Sequence, residues 1–145
     1  MPLLKFLADT NAMSALLRGE LAVETWFDAH PDQVALSTIT LAEMRWGIEL
    51  KRDTKAGRAL EREYRFVIEQ YHDAIYVFDE NAAAEWGRLM REAHEKNRPL
   101  SVQDSLISAI ARSEGLKVLT QNWKDFPGSV TVDPFTDQEH PAWRL

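Results

Sequence analysis

The amino-acid sequence predicts an α/β fold in three layers, with a mainly parallel central sheet flanked by helices. Two observations carry this expectation. Short apolar runs alternate with longer segments whose apolar side chains recur every three or four residues. Strands separated by helices build parallel sheets covered on both faces. In addition, acidic or amide residues stand just past the apolar runs or in the first turn of the next helix: Asp9, Glu43, Asp104 and the pair Asn122/Asp125. In an open α/β sheet, ligands bind in the crevice outside the carboxyl ends of the strands.

The elements follow in order. Residues 3–8 read as the first strand; no basic region precedes a long apolar run, so the N-terminus reads as a strand and not as a signal peptide. Residues 11–18 form a short helix ended near Gly19. Leu21, Val23, Trp26 and Phe27 mark a second short helix, stopped by His30-Pro31-Asp32. Residues 34–38 are the next strand and 40–51 the next helix. Segment 55–72 carries the clearest amphipathic stripe, through Ala56, Leu60, Tyr64, Val67, Ile68 and Tyr71. Residues 75–78 are a strand, and 81–96 a helix with its stripe on Ala82, Trp86, Leu89, Met90 and Ala93. The loop Asn97-Arg98-Pro99 leads into helix 101–114, apolar on most sides and therefore expected to be central; Gly115 stops it. Residues 117–120 and 130–132 are short strands around the turn Pro127-Gly128, and 136–145 an irregular tail.

A chain of 145 residues fits one domain, 1–145, with a real core. The absence of cysteine removes disulfides and thiolate metal sites and fits a reducing cytoplasm. No apolar stretch approaches the roughly 20 residues of a membrane span, so no membrane is expected. The net charge of −6, from 23 acidic and 17 basic residues, argues against binding nucleic acid by bulk charge. It is compatible with a nuclease whose metal supplies local positive charge. Arg45, Lys51, Arg52, Lys55, Arg58, Arg62 and Arg65 are candidates for a basic groove; a solvated helix face is the plainer interpretation. Trp46 and Trp123 lie beside the acidic positions and are candidates to line it. The four histidines lack ligand spacing, and no glycine-rich phosphate loop is present.

Carboxylates gathered at strand ends repel one another unless a cation neutralises them. A hard divalent ion held by oxygens is the natural occupant. Each position also has a purely structural explanation. Thr10 or Asn11 can cap the first helix and leave Asp9 in a loop. Thr40-x-x-Glu43 has the form of a capping box. Ser101-x-x-Asp104 has the same geometry, with an aspartate favoured by the helix dipole. Composition and spacing therefore reach an acidic, metal-compatible cluster and no further.

The order of the pieces goes further. Asp9-Thr10-Asn11 after a first strand resembles the opening motif of PIN-domain ribonucleases. Ser37-x-x-Thr40-x-Ala42-Glu43-x-x-x-Gly47 resembles their second block, and Asp104-Ser105-Leu106-Ile107-Ser108-Ala109-Ile110-Ala111 their third. Leu119-Thr120-Gln121-Asn122-x-x-Asp125-Phe126 is similar to the fourth. The likeness runs from about residue 4 to 135 and is nearest to VapC-type toxins, including the FitB-like branch, of type II toxin–antitoxin systems. It implies a PIN-like fold and Mg²⁺- or Mn²⁺-dependent cleavage of RNA phosphodiester bonds. Asp9 and Asp104 would be metal ligands, and Glu43 would complete the metal site directly or through a water. Thr120 would position a water or phosphate, with either Asn122 or Asp125 in the fourth acidic position. The resemblance also implies a small VapB-like antitoxin partner, a homodimer and a cytoplasmic location; the stripe on 55–72, with Trp46 nearby, is the candidate surface for either partner. Three rivals stand beside it. They are a housekeeping PIN-like RNA-processing nuclease without an antitoxin, a receiver- or phosphatase-like domain with an aspartate phosphoryl acceptor, and a catalytically dead binding module. Against the phosphatase, Asp9 lacks a second aspartate two residues on.

Overall fold

The computed structural model describes residues 3–145; Met1 and Pro2, part of the N-terminal expectation, lie outside the described residues. The chain runs β1 (Phe6–Ala8), α1 (Thr10–Leu17), α2 (Leu21–Ala29), β2 (Val34–Ser37), α3 (Thr38–Leu50) and α4 (Lys55–Tyr71). It continues through β3 (Ile75–Tyr76), α5 (Glu80–Glu95), α6 (Val102–Glu114), β4 (Lys117–Leu119), a 3₁₀ turn (Trp123–Asp125), β5 (Thr131–Val132) and β6 (Glu139–His140).

The strands form one sheet in the order β3-β2-β1-β4-β5-β6. Four pairings are parallel; only β5 with β6 is antiparallel. The chain builds outward from β1 through β2 to β3, then returns on the other side of β1 as β4. The strand order therefore reverses between β1 and β4, and ligands of open α/β sheets bind at such a switch point.

Side chains alternate across the sheet, as a period of two demands. Phe6, Ala8, Val34, Leu36 and Leu119 point into one core, beneath α1 to α4. Leu7, Ala35 and Val118 point into the other, beneath α5 and α6. These are the three layers that the sequence predicts. Helix α6 is central as expected: Ile107, Ala109, Ile110 and Ala111 are all buried. The stripe on α4 is used by the first core, where Val67 is buried and Tyr64, Ile68 and Tyr71 pack against it. Ala56, expected in that stripe, is exposed, and Gly57 is buried instead. A Cβ on Gly57 would lie 2.1 Å from the Lys51 carbonyl oxygen, so only glycine lets α4 turn this tightly off the end of α3. The α3–α4 hairpin leaves Trp46, Leu50 and Phe66 exposed.

Several expected strands are shorter in the structure. The first begins at Phe6, and the third ends at Tyr76 because Asp79 already caps α5. The tail is irregular apart from one short strand. Glu139 and His140 pair with Val132 and Thr131 as an edge strand. The Trp143 carbonyl then accepts the Gly128 N–H at 2.7 Å. No helix of the described residues is long and apolar enough to cross a membrane.

Candidate active site

Ala8 and Leu119 are partners at the ends of β1 and β4, so the residues that follow them, Asp9 and Thr120, stand side by side at the switch point. Asp9 is only 3% exposed. Its Oδ1 accepts the Ala12 N–H at 2.8 Å, and its Oδ2 accepts the Thr120 hydroxyl at 2.6 Å. The Thr120 hydroxyl in turn accepts the Asn122 N–H at 2.9 Å. Helix α1 begins one residue earlier than expected, so Asp9 itself is the N-cap, rather than Thr10 or Asn11.

The expected capping box at Thr40 does not form. Ser37, at the end of β2, caps α3 by accepting the Thr40 N–H at 3.2 Å. Two hydroxyl residues compete for that role, and the one at the strand end takes it. Glu43 therefore lies a turn further into the helix, where capping has no use for it. Its Oε1 instead accepts the Thr10 hydroxyl, 33 residues away in sequence, at 2.7 Å. This contact of Thr10 is one that the sequence alone does not single out, although Thr10 stands inside the Asp-Thr-Asn motif.

Asp104 does occupy the capped first turn of α6, with its N–H donated to the Ser101 hydroxyl at 3.4 Å. Its carboxyl pKa is pushed up to about 6, first by burial and then by the charges of Asp125 and Glu43, against a lowering hydrogen bond from Ser101. The Asp9 carboxyl is likewise pushed up to about 6, mainly by burial. Its hydrogen bonds from Thr120 and Ala12 oppose the rise; the charges of Asp104 and Glu43 add to it. Four carboxylates, from the end of β1, the second turn of α3, the first turn of α6 and the 3₁₀ turn after β4, thus share one electrostatic neighbourhood. Asp125 belongs to it through Asp104, whereas exposed Asn122 contributes its backbone N–H to Thr120.

Residues 6–127 of the chain match the family described as PIN domain. The chain belongs to the PIN-domain family. It is 31% identical to a protein of Shigella flexneri named tRNA(fMet)-specific endonuclease VapC, over 86% of this chain and 91% of that one. Among solved structures it resembles FitAcB from Neisseria gonorrhoeae, at a TM-score of 0.81 and 29% identity, over 90% of this chain and 99% of that one. It also resembles a chain of a toxin–antitoxin complex from Klebsiella pneumoniae, at a TM-score of 0.69 and 27% identity, over 90% of this chain and 98% of that one. The likeness to VapC-type and FitB-like proteins, expected from the motifs, is thereby shown.

PIN nucleases of the VapC type are metal-dependent, and the donor set of this PIN domain suits a hard divalent ion. It consists of carboxylate oxygens only, close enough for the charge of one to raise the pKa of the next. Among the described residues, no three His, Cys, Asp or Glu side chains are gathered tightly enough to enclose an ion unaided. Mg²⁺ makes no such demand: it binds through one or two carboxylates and keeps several waters.

Of the basic residues predicted from α3 and α4, two are engaged in ion pairs. Arg45 is held by Glu49 at 3.4 Å and Glu61 at 3.2 Å, and Arg65 pairs with Glu61 at 3.7 Å. Trp46 is 64% exposed, on the hairpin, and Trp123 stacks on His140 at 4.7 Å. The basic side chains that line a cavity beside the acidic site are Arg98 and Lys124, with Asp104, Asp125 and Trp143 in the same wall.

Proposed function

We propose that this chain is a Mg²⁺- or Mn²⁺-dependent endoribonuclease, folded as one nuclease domain over 1–145, and the toxin of a toxin–antitoxin pair. One observation carries the proposal. Carboxyls from distant parts of the chain come near one another at the β1/β4 switch point, none of them in an ion pair among the described residues: the charges of Asp104 and Glu43 raise the pKa of Asp9, and those of Asp125 and Glu43 raise that of Asp104.

The chain's own residues then have distinct tasks. Asp9 and Asp104 would hold the ion. The Thr120 and Ala12 donors fix the Asp9 carboxylate in one orientation. Glu43, steadied by Thr10, would complete the site directly or through a water. Asp125 rather than Asn122 fills the fourth acidic position, because its charge is the one that Asp104 senses. A bound divalent ion supplies a lowered water pKa and charge neutralisation on the scissile phosphate. The likeness to a chain of a toxin–antitoxin complex supports an antitoxin partner, and exposed Trp46, Leu50 and Phe66 offer apolar surface for it or for a second copy in a homodimer. The cytoplasm, where RNA resides and cysteine-free chains lose nothing, is the proposed site of action.

Purified protein should cut structured RNA with Mg²⁺ or Mn²⁺ and stop with EDTA, and Asp9→Ala and Asp104→Ala should each abolish cutting in folded protein. Expression alone should arrest bacterial growth, and Glu43→Ala should relieve the arrest. Undiminished cutting by either aspartate variant would refute the site; cutting without arrest would favour the housekeeping role.

A further inference from the structure

The carboxylates explain how a phosphodiester is attacked but not how a strand is held against four negative charges. Next to them lies a cavity of about 320 Å³ whose lining includes Asp104 and Asp125 together with Arg98, Lys124 and Trp143. We propose that this cavity takes a single unpaired nucleotide of the RNA strand, next to the bond that is cut, with its base against Trp143 and its phosphate between Arg98 and Lys124. The proposal rests on the nuclease function proposed above and adds the means of holding substrate which that function lacks.

Three features of the cavity carry it. The first is free charge. Neither Arg98 nor Lys124 makes an ion pair among the described residues; several other exposed cations are unpaired too, but these two line the cavity of Asp104 and Asp125. An acidic chain that leaves two cations unpaired beside its carboxylates has positive charge available for an anion there. Lys124 also lies over the Trp123 ring, 5.5 Å from its centroid, which holds the ammonium at the rim.

The second is a prepositioned aromatic. Trp143 sits in the tail, yet its indole N–H donates to the Trp123 carbonyl at 3.3 Å and its own carbonyl accepts the Gly128 N–H. The ring is therefore fixed before any ligand arrives, and base–aromatic stacking is tolerant of sequence. This gives the β6 tail a purpose that pairing alone does not: it carries Trp143 back to the acidic end. The third is size. The cavity falls at the lower end of the roughly 300–1,000 Å³ of ligand sites, room for one splayed nucleotide and not for a base pair. Proteins read RNA mostly where bases are unstacked in this way.

The test is fluorescence anisotropy of a labelled hexauridylate in EDTA, where no cutting occurs, with a duplex RNA of the same length as control. Trp143→Ala should weaken binding of the single strand about tenfold, and Trp143→Phe should retain it. The Arg98→Ala/Lys124→Ala double variant should bind more weakly and lower the salt dependence by roughly 0.7 for each phosphate it no longer neutralises. The duplex should be indifferent to Trp143→Ala. The double variant changes only exposed side chains, so its melting temperature should match the wild type, and it decides the matter if Trp143→Ala fails to fold. Unchanged affinity and salt slope in these variants overturns the subsite and leaves the cavity to a protein partner; equal loss in Trp143→Phe and Trp143→Ala overturns the stacking. Cutting by wild-type protein is scored separately. If wild type cuts RNA and the variants behave like it, the subsite falls and the nuclease stands. If wild type does not cut but the variants lose binding, the nuclease falls and the subsite stands.

Discussion

Glu85 and Asp104 are both partly buried carboxylates near the helices α5 and α6, and they are treated in opposite ways. Glu85 is held by Arg88 at 2.8 Å and by Arg112 at 3.3 Å. The hydrogen bond from Arg88, aided by the charges of Arg112 and Arg88, lowers its pKa in spite of the desolvation it suffers. Asp104 has no basic partner among the described residues; burial, Asp125 and Glu43 push it up to about 6. The first arrangement is complete within the fold and ties α5 to α6. The second leaves a deficit of positive charge that the chain does not fill. A fold of this size can clearly supply arginine where charge is structural. Where four carboxylates near a switch point have no ion-pair partner among the described residues, perturbed groups of this kind mark a functional site.

The largest consequence is in the pH dependence of the metal-free protein. Below 3.8, its unfolded value, Asp9 is protonated in both states and costs nothing. Between 3.8 and about 6 the unfolded chain has released a proton that the folded chain keeps, so stability falls as pH rises and the loss is complete above about 6. Two pKa units correspond to about 3 kcal/mol for this nearly fully buried group. Glu85 works with the opposite sign: its contribution is present above its unfolded value and lost as pH falls through its lowered folded one. Thermal melting in EDTA at pH 4 and pH 7 should show the wild type losing stability towards pH 7 and Asp9→Asn losing less, the remainder coming from Asp104, whose carboxyl is also pushed up to about 6. Equal pH profiles for the two proteins would break the contrast.

The smaller effect lies on the structural side. Glu85→Gln removes the charge that Arg88 and Arg112 share. Glu85 and Arg112 each retain about a fifth of their exposure, so solvent screening limits the loss to about 1 kcal/mol, or a fall in Tm of about 2–4 °C. RNA cutting should be unaffected. A Glu85→Gln protein that keeps its Tm but loses activity would show that the two kinds of carboxylate are not separate.

Most of this arrangement is legible in the sequence. Helix α6 is readable because Ser101 caps it, Gly115 ends it at φ +68°, and the apolar residues between surround its axis. Asp9 and Thr120 are readable because each follows a run of buried strand residues. The switch point itself is not, since strand order is a nonlocal fact. The capping box at Thr40 misleads because Ser37 offers the same chemistry three residues earlier and local pattern does not rank the two. Strand β6 has two residues and a polar pattern, and its support is nonlocal, from pairing with β5 and from contacts to Trp123 and Lys117; no local periodicity announces it. For the same reason Trp143 is invisible in the sequence as a site residue. Arg98 stands in a loop pattern that gives no hint of its neighbours. The basic residues that the sequence favours over it are occupied by Glu49 and Glu61 or spread on a solvated face.

The central claim is that the charge missing at Asp9 and Asp104 is supplied by a divalent ion. Thermal melting of wild type and Asp104→Asn at pH 7, each in EDTA and in excess Mg²⁺, tests it most directly. An aspartate that only capped α6 would give up roughly 0.3–1 kcal/mol of charge–dipole energy on becoming asparagine, and the variant would melt lower in EDTA while keeping the full Mg²⁺ shift. The uncompensated cluster predicts the reverse. Asp104→Asn melts higher than wild type in EDTA, because like-charge repulsion is relieved. It also loses most of the Mg²⁺ shift, because an ion that binds only the folded state stabilises by mass action and this variant binds it less. A lower melting temperature in EDTA together with an undiminished Mg²⁺ shift would contradict the account.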